Sequence, residues 1–173
     1  MLTITTPAFA HEAEIPMRYT QEGENLSPEL VFSGVPANAR SLVLLSDDPD
    51  APDPEAPKRI WLHWLVVNIP TETAGFAEGV SDYPQGCRIA VNDSGVRGWS
   101  GPRPPIGRHR YYFKLYALDT TLDLPENFTR SQVEAARPDT LLKAPSPWER
   151  ICFRVIANRF RFSFARFCAK IVC

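Results

Sequence analysis

Short apolar segments separated by proline-rich turns do most to narrow the choice of fold. The run WLHWLVVNI, Trp61–Ile69, is aromatic and β-branched and ends at Pro70, while Arg110–Leu118 alternates Tyr, Phe and Leu with more polar residues. Both patterns are typical of strands, and the nearly continuous apolarity of the first predicts a central, buried strand. Three shorter runs of the same kind are Leu30–Phe32, Ser41–Ser46 and Cys87–Val91.

Proline-rich loops between these runs leave little room for helices. The chain of 173 residues contains 17 prolines, which lie in clusters between the apolar runs. One helix is predicted from Arg130 to Ala136, with Thr129 as N-cap and Gln132 three residues further on, as in a capping box. Pro138 would end it. We therefore predict a mainly β fold, an antiparallel β-sandwich of Greek-key type with one or two short helices.

Charge and cysteine content exclude several classes of protein. Residues 1–149 carry 13 basic and 20 acidic side chains, which argues against nucleic acid as a partner. The four cysteines, Cys87, Cys152, Cys168 and Cys173, show no CxxC pairing, so we predict neither a disulfide scaffold nor a structural zinc site. The N-terminus lacks a signal-peptide pattern and no apolar stretch reaches ~18 residues, which predicts a cytoplasmic protein.

Residues 144–173 differ from the rest of the chain and are predicted to form a separate tail after a domain of residues 1–143. From Arg150 onwards the tail holds six basic and no acidic residues, together with Phe and Cys. Its phenylalanines fit both a strand and an amphipathic helix, and we interpret them as a helix with an arginine face. Such a helix could lie on anionic membranes, although packing on the domain or disorder is favoured.

Three segments carry the candidate site residues. Asp48 and Asp50 stand two apart in DPDAP, an arrangement that puts both carboxylates on one side of an extended chain. His63 interrupts an apolar strand, and one of the two aspartates could set its tautomer. The stiff loop GPRPPIG, which begins at Gly101 and Pro102, delivers His109 and Tyr111 to the start of a strand.

Two chemistries suit this set of side chains. Imidazoles and a phenol can donate hydrogen bonds to an anion while carboxylates support the imidazole charge. The same histidines and carboxylates could hold a metal ion, which leaves a His/Asp or metal-dependent hydrolase as the alternative. Neither a nucleophile elbow nor a GxxxxGK[ST] phosphate loop occurs in the sequence. The absence of these motifs favours a binding module over an enzyme, with no cofactor and no metal.

Five ordered motifs resemble the phosphatidylethanolamine-binding (Raf-kinase-inhibitor-like) family in its bacterial and archaeal form. The three site segments are similar to DPDAP, WxHWxVxNIP and GPxPPxGxHRYxF, and two flanking stretches match as well. The flanking stretches are Gly23–Leu30 and Asn92–Trp99. The resemblance covers about residues 1 to 125.

The resemblance implies a pocket for phosphate-like anions and phosphoethanolamine head groups. By motif its walls would be Asp48, Asp50, His63, Gly101, Pro102, His109 and Tyr111. His63 and His109 would donate to the anion, and the Gly101–Pro105 loop would form the rim. The family further implies a cis Ala51–Pro52 bond and a possible partner kinase or protease, regulated through recognition of phosphorylated groups.

The C-terminal end departs from the family pattern. Relatives end in a helical segment and a short strand-like stretch, and residues 144–173 resemble neither. A divergent tail and a frameshifted reading of the original end both remain open. In either case, the contribution of the family's C-terminal segment to the pocket is in doubt for this chain.

Overall fold

The computed structural model of the protein describes residues 1–136 and the backbone of one further strand. Eight strands, one α-helix and one 3-10 turn are present in these parts of the chain. The strands are β1 Thr3–Thr5, β2 Leu30–Ser33, β3 Ser41–Ala51, β4 Arg59–Ile69, β5 Gly75–Phe76, β6 Arg88–Ile89, β7 Arg108–Leu118 and β8 Phe153–Asn158; the 3-10 turn is Met17–Tyr19 and the helix α1 is Arg130–Ala135.

The strands form two antiparallel sheets. The smaller sheet has the order β1-β2-β5 and the larger has the order β6-β4-β3-β7-β8. All paired strands are antiparallel. The three long strands of the larger sheet are the ones whose apolar runs are strongest in the sequence, and β3 lies at the centre between β4 and β7.

The main core lies between the two sheets, as expected for a β-sandwich. Side chains from both sheets share it, and the aromatic rings pack largely edge to face, as in the pair Phe32–Phe76 with ring centroids 5.4 Å apart. Its largest fully buried members include Trp64, Phe113 and Leu44. The mainly β, antiparallel prediction is therefore confirmed.

A second core covers the opposite face of the larger sheet. Val43, Leu45 and Leu65 point away from the sandwich interior and pack against Phe128 and Val133. Val133 belongs to α1, whose N-cap Thr129 accepts from the Gln132 backbone while the Gln132 side chain accepts from the Thr129 backbone. The predicted capping box is thus confirmed, and the helix holds the loop that closes this second core.

The strands of the larger sheet extend beyond their apolar runs. β3 continues through Asp47–Ala51, and β7 begins at Arg108. The aspartates of this segment accept hydrogen bonds from side chains of β7, so β3 continues to the edge of the sandwich. This extension places both candidate aspartates on a strand.

The helical interpretation of the tail is wrong over Phe153–Asn158. These residues form β8 and pair with β7 from Arg108↔Asn158 to Phe113↔Phe153. The edge of β7 offers unpaired backbone groups that a strand can satisfy, and this long-range pairing outweighs local helical periodicity. The other tail residues, the predicted stop at Pro138 and the boundary at residue 143 lie outside the described residues.

Leu44 provides a test of the sandwich core. It lies on β3 with no exposed surface, so Leu44→Ala would leave a cavity between the sheets and lower the free energy of unfolding by about 2–5 kcal/mol. Val31 on β2 is 40% exposed, so Val31→Ala should cost well under half as much. Urea unfolding of both variants measures the difference, and equal losses would contradict this core assignment.

Candidate functional site

A cavity of about 550 Å³ opens where the end of β3 meets the starts of β4 and β7 and the loops that lead into them. Cavities of this size typically enclose small-molecule ligands. Most of its lining comes from the DPDAP segment, the start of β4 and the proline-rich loop before β7. The lining residues are Gln21, Asp48, Ala51, Pro52, Lys58, Arg59, Trp61, His63, Ser94, Arg103, Pro104, Pro105, His109 and Tyr111.

Asp48 is the acidic member of this lining, and its carboxylate is well supplied with donors. Oδ1 accepts from the Asp50 backbone N–H at 2.7 Å, and Oδ2 lies 2.7 Å from Nδ1 of His109. Asp48 and His109 are 3% and 1% exposed. A carboxylate so far from water needs a positive partner and several hydrogen bonds, and this site provides both.

Both ring nitrogens of His109 face acceptors. Nδ1 meets Asp48, and Nε2 lies 3.0 Å from the carbonyl oxygen of Ile106. A neutral imidazole can donate from one nitrogen only, so the imidazolium is the form that satisfies both contacts. His109 therefore holds the proline-rich loop against Asp48, and the sequence-based role of donor to an anion would require it to release Ile106.

A β-bulge presents His63 to the cavity. Ser46 on β3 opposes Trp64 on β4 and Asp47 opposes Leu62, so His63 is the extra residue between two pairs. A bulge of this kind breaks the alternation of side chains and re-aims the inserted residue. As a result, His63 and Trp64 face the same side of the sheet, with His63 at the cavity and Trp64 in the core.

Ser100 fixes the orientation of His63. The backbone N–H of Ser100 donates to the His63 carbonyl at 3.1 Å, and Nδ1–H of His63 donates to the Ser100 carbonyl at 2.5 Å. Asn92 adds a side-chain bond to the same His63 carbonyl at 3.1 Å. With Nδ1 protonated, the neutral ring turns the lone pair of Nε2 towards the cavity.

Burial lowers the pKa of His63 below its ordinary value. Loss of hydration is the largest influence, and the bond to Ser100 and the charge of Asp48 oppose it only in part. His63 is therefore neutral at neutral pH in the empty cavity. Nε2 could donate a hydrogen bond to an anion only after the ring of His63 takes up a proton.

Tyr111 completes the floor of the cavity. Its ring packs edge to face on His63 with centroids 5.1 Å apart, and its hydroxyl hydrogen-bonds to Asp48. Burial, followed by the nearby charges of Asp48 and Asp50, raises the pKa of Tyr111, so it stays a neutral phenol. The floor therefore consists of Asp48, His63, His109 and Tyr111, four of the seven residues predicted from the sequence.

Asp50 has a structural partner and is not among the lining residues. Its carboxylate accepts from Nε and Nη2 of Arg110 and from the Arg110 backbone N–H at 2.8 Å. Burial disfavours the charge, but the bonds from Arg110 outweigh it and hold the pKa of Asp50 below its ordinary value. The suggested contact between Asp50 and His63 is not formed, because the next strand offers Arg110 in register.

Gly101 and Pro102 stand behind the cavity and support its rim. The Gly101 N–H donates to Asn25 at 2.8 Å, its carbonyl accepts from Gln21 at 2.9 Å, and the Pro102 carbonyl accepts from the Gln21 backbone. A Cβ on Gly101 would lie 2.2 Å from the Tyr19 carbonyl oxygen, so only glycine fits. The rim itself is formed further along the loop, by Arg103, Pro104 and Pro105.

Sequence reasoning missed the cationic rim. Lys58, Arg59 and Arg103 line the cavity and are exposed, and the Arg59 guanidinium lies 3.9 Å from the centroid of Trp61. Each was visible in the sequence beside a proline-rich motif, but only the sheet brings the two loops together. Gln21 and Ser94 come from segments whose motifs gave no sign that they reach the cavity.

The described residues give no geometric support for a metal centre or a membrane span. Within residues 1–136, no three His, Cys, Asp or Glu side chains are grouped so that they could hold a metal ion. Among the described helices, none is long and apolar enough to cross a membrane. The Ala51–Pro52 peptide bond is cis, as the family resemblance implied.

The fold and the cavity together define a small β-sandwich with a ligand-sized pocket at the end of its larger sheet. The family profile described as phosphatidylethanolamine-binding protein matches residues 5–145. A UPF0098 protein of Methanothermobacter thermautotrophicus is 47% identical over 135 residues, which are 76% of this chain and 86% of the relative. The chain belongs to the phosphatidylethanolamine-binding protein family.

Solved structures agree with this assignment. A putative phosphatidylethanolamine-binding protein homologue from Chlamydia trachomatis superposes with a TM-score of 0.77 at 32% identity, covering 92% of this chain and 97% of that one. YbcL of E. coli, described as a member of the mammalian family, gives a TM-score of 0.76 at 25% identity, with coverage of 92% and 99%. The sequence-based assignment to the family is confirmed.

The lowered pKa of His63 predicts a loss of stability in acid. Below about pH 6.5 the histidine of the unfolded chain takes up a proton that the folded protein resists, so stability falls as pH falls, by at most ~1.4 kcal/mol per pH unit for this group. His63→Asn keeps a hydrogen-bond donor towards the Ser100 carbonyl and replaces the titratable imidazole with an amide that does not titrate. Urea unfolding from pH 7.5 to 5 should show that the free energy of unfolding falls less steeply with pH in the variant. Equal pH dependence in the two proteins would contradict a lowered pKa of His63.

Removal of the Asp50 carboxylate should destabilise the protein without affecting the cavity lining. Asp50→Ala leaves the half-exposed Arg110 and a backbone N–H without their acceptor, at a cost of about 1.5–3 kcal/mol. Asp82 is exposed, so Asp82→Ala serves as the control and should change stability by less than about 0.5 kcal/mol. Thermal and urea unfolding compare the two, and equal effects would refute the structural role of Asp50.

Proposed function

We propose that the cavity binds a phosphate-type anion. The observation that carries the proposal is its charge pattern. Lys58, Arg59 and Arg103 surround the mouth, and Asp48, the only acidic lining residue within residues 1–136, is already paired with His109. With His109 charged, floor and rim together are strongly positive. A cavity with low-dielectric walls and excess positive charge attracts anions.

The floor offers two groups that could receive an anion. Nε2 of His63 becomes a donor when the ring is protonated, and the Tyr111 hydroxyl could turn from Asp48 to the ligand. Since burial disfavours the charged ring, an anion that stabilises it would bind together with a proton. Binding would therefore strengthen as the pH falls.

The same chemistry suits a phosphate group on a small molecule or on a phosphorylated side chain of a protein. Regulation of a partner kinase or protease stays a prediction, which fold alone does not establish. A His/Asp or metal-dependent hydrolase is less well supported. His109 is paired with Asp48 through Nδ1, but its second ring nitrogen faces the backbone carbonyl of Ile106 rather than a nucleophile.

Calorimetric titration with inorganic sulfate and phosphate tests the proposal. Sulfate does not titrate near neutrality, so a pH dependence of its affinity reports on the protein. Between about pH 8 and pH 5.5 the sulfate affinity should rise by up to tenfold per pH unit, the limit for uptake of one proton. His63→Asn should bind more weakly and lose most of this dependence.

Two results would contradict the proposal. The first is a folded wild-type protein that binds neither anion at low salt and about pH 5.5. The second is sulfate binding that stays at wild-type strength in His63→Asn, since it would place the anion away from the floor of the cavity.

A further inference from the structure

The cations of the cavity rim differ from half of the other basic side chains in residues 1–136, which form ion pairs. Arg18, Arg110, Lys114 and Arg130 each form an ion pair with an aspartate or glutamate. Within residues 1–136, none of the three rim cations does so, and the Arg59 guanidinium stacks on the ring of Trp61. Three charges that have no ion-pair partner among residues 1–136 repel each other around one opening, so a bound negative group would stabilise this arrangement.

Acidic side chains of the same loops do not neutralise the rim. Asp53 and Glu55 precede Lys58 in the loop after DPDAP, but neither lines the cavity, and the Asp53 carboxylate accepts from the Glu55 backbone N–H at 2.9 Å. Asp48 lies at the buried floor and is paired with His109. The excess positive charge therefore lies at the mouth, above the group that would fill the floor.

The floor and the rim of the cavity differ in their exposure to solvent. The floor groups His63, His109 and Tyr111 are almost fully buried, whereas Lys58, Arg59 and Arg103 are exposed. A single phosphate at the floor would leave most of the ~550 Å³ unfilled. The cavity is also lined by small apolar residues, namely Ala51, Pro52, Pro104 and Pro105.

We propose that the cavity selects phosphate monoesters whose organic part carries a second negative charge. The phosphate would occupy the floor, a short carbon chain would lie along the proline walls, and a carboxylate or second phosphate would meet Lys58, Arg59 and Arg103. This inference rests on the proposed anion site. It implies that phosphoethanolamine, whose second group is an ammonium, is a poor ligand for this chain, because like charges at the rim would repel it.

Three esters with the same two-carbon skeleton isolate the charge of the second group. Ethyl phosphate has none, phosphoethanolamine has a positive charge and 2-phosphoglycolate has a negative one. Calorimetry of the full chain at low salt and about pH 6 should rank phosphoglycolate first, ethyl phosphate second and phosphoethanolamine last. We expect each step to be roughly threefold to tenfold, as for partly exposed ion pairs, and to shrink at high salt.

Substitutions at the rim should weaken the binding of all three esters and should weaken phosphoglycolate the most, so that its advantage over ethyl phosphate shrinks. Arg103→Ala and Lys58→Ala should each reduce the advantage of phosphoglycolate over ethyl phosphate by roughly threefold, and the double variant should nearly abolish it. Arg108 is the matched control. It is exposed and close to the same loop. Because side chains alternate along a β-strand, Arg108 points to the face of β7 away from His109, so Arg108→Ala should keep the wild-type ranking.

The outcomes distinguish this inference from the function on which it rests. Two outcomes would refute the proposed selection for a second negative charge and leave the anion site intact. In both, ethyl phosphate and inorganic phosphate bind, but either the three esters show equal affinity or phosphoethanolamine binds best. If no phosphate compound binds the folded protein, both fail. A ranking that survives the Lys58 and Arg103 double variant would also overturn the assignment to the rim.

Discussion

A carboxylate held almost without contact to water is the constraint on which the site depends. Asp48 can remain in this position only because His109, the Asp50 backbone and the Tyr111 hydroxyl all direct hydrogen bonds to it. His109 in turn holds the Ile106 carbonyl, which fixes the loop that carries the rim. The ion pair therefore organises the floor and the loop above it, and a ligand meets a site that is largely formed in advance.

The sheet achieves this arrangement by interrupting its own regularity beside the site. The bulge at His63 turns two successive side chains of β4 to one face, and the backbone of Ser100 then binds both the carbonyl and the ring of that histidine. Asp47, next to Asp48 on β3, points to the opposite face and is neutralised there by Lys114 and Arg130. The two adjacent aspartates thus lie on opposite faces of the sheet. Asp48 supports the cavity, and Asp47 helps to hold α1 against the sheet.

The separation of floor and rim has a consequence for the type of ligand. Under the proposed anion binding, the neutral ring of His63 at the floor would have to take up a proton, which would make binding sensitive to pH. The exposed cations of the rim would make binding sensitive to salt and to the net charge of the ligand. The four floor residues stand at named positions of the motifs that resemble the family, whereas Arg103 stands at an unspecified position of its motif and Lys58 lies between two motifs.

The sequence by itself determined five of the described strands, the capped helix, the family and the four residues of the cavity floor, because apolar alternation, capping chemistry and motif order can be read from neighbouring residues. Tertiary structure alone decided that Asp50 pairs with Arg110, that Gly101 and Pro102 support the rim from behind, and that Phe153–Asn158 form a strand. It also decided which cations reach the cavity. These outcomes depend on strand register and on which edges come together, and both are settled by contacts between residues far apart in the chain.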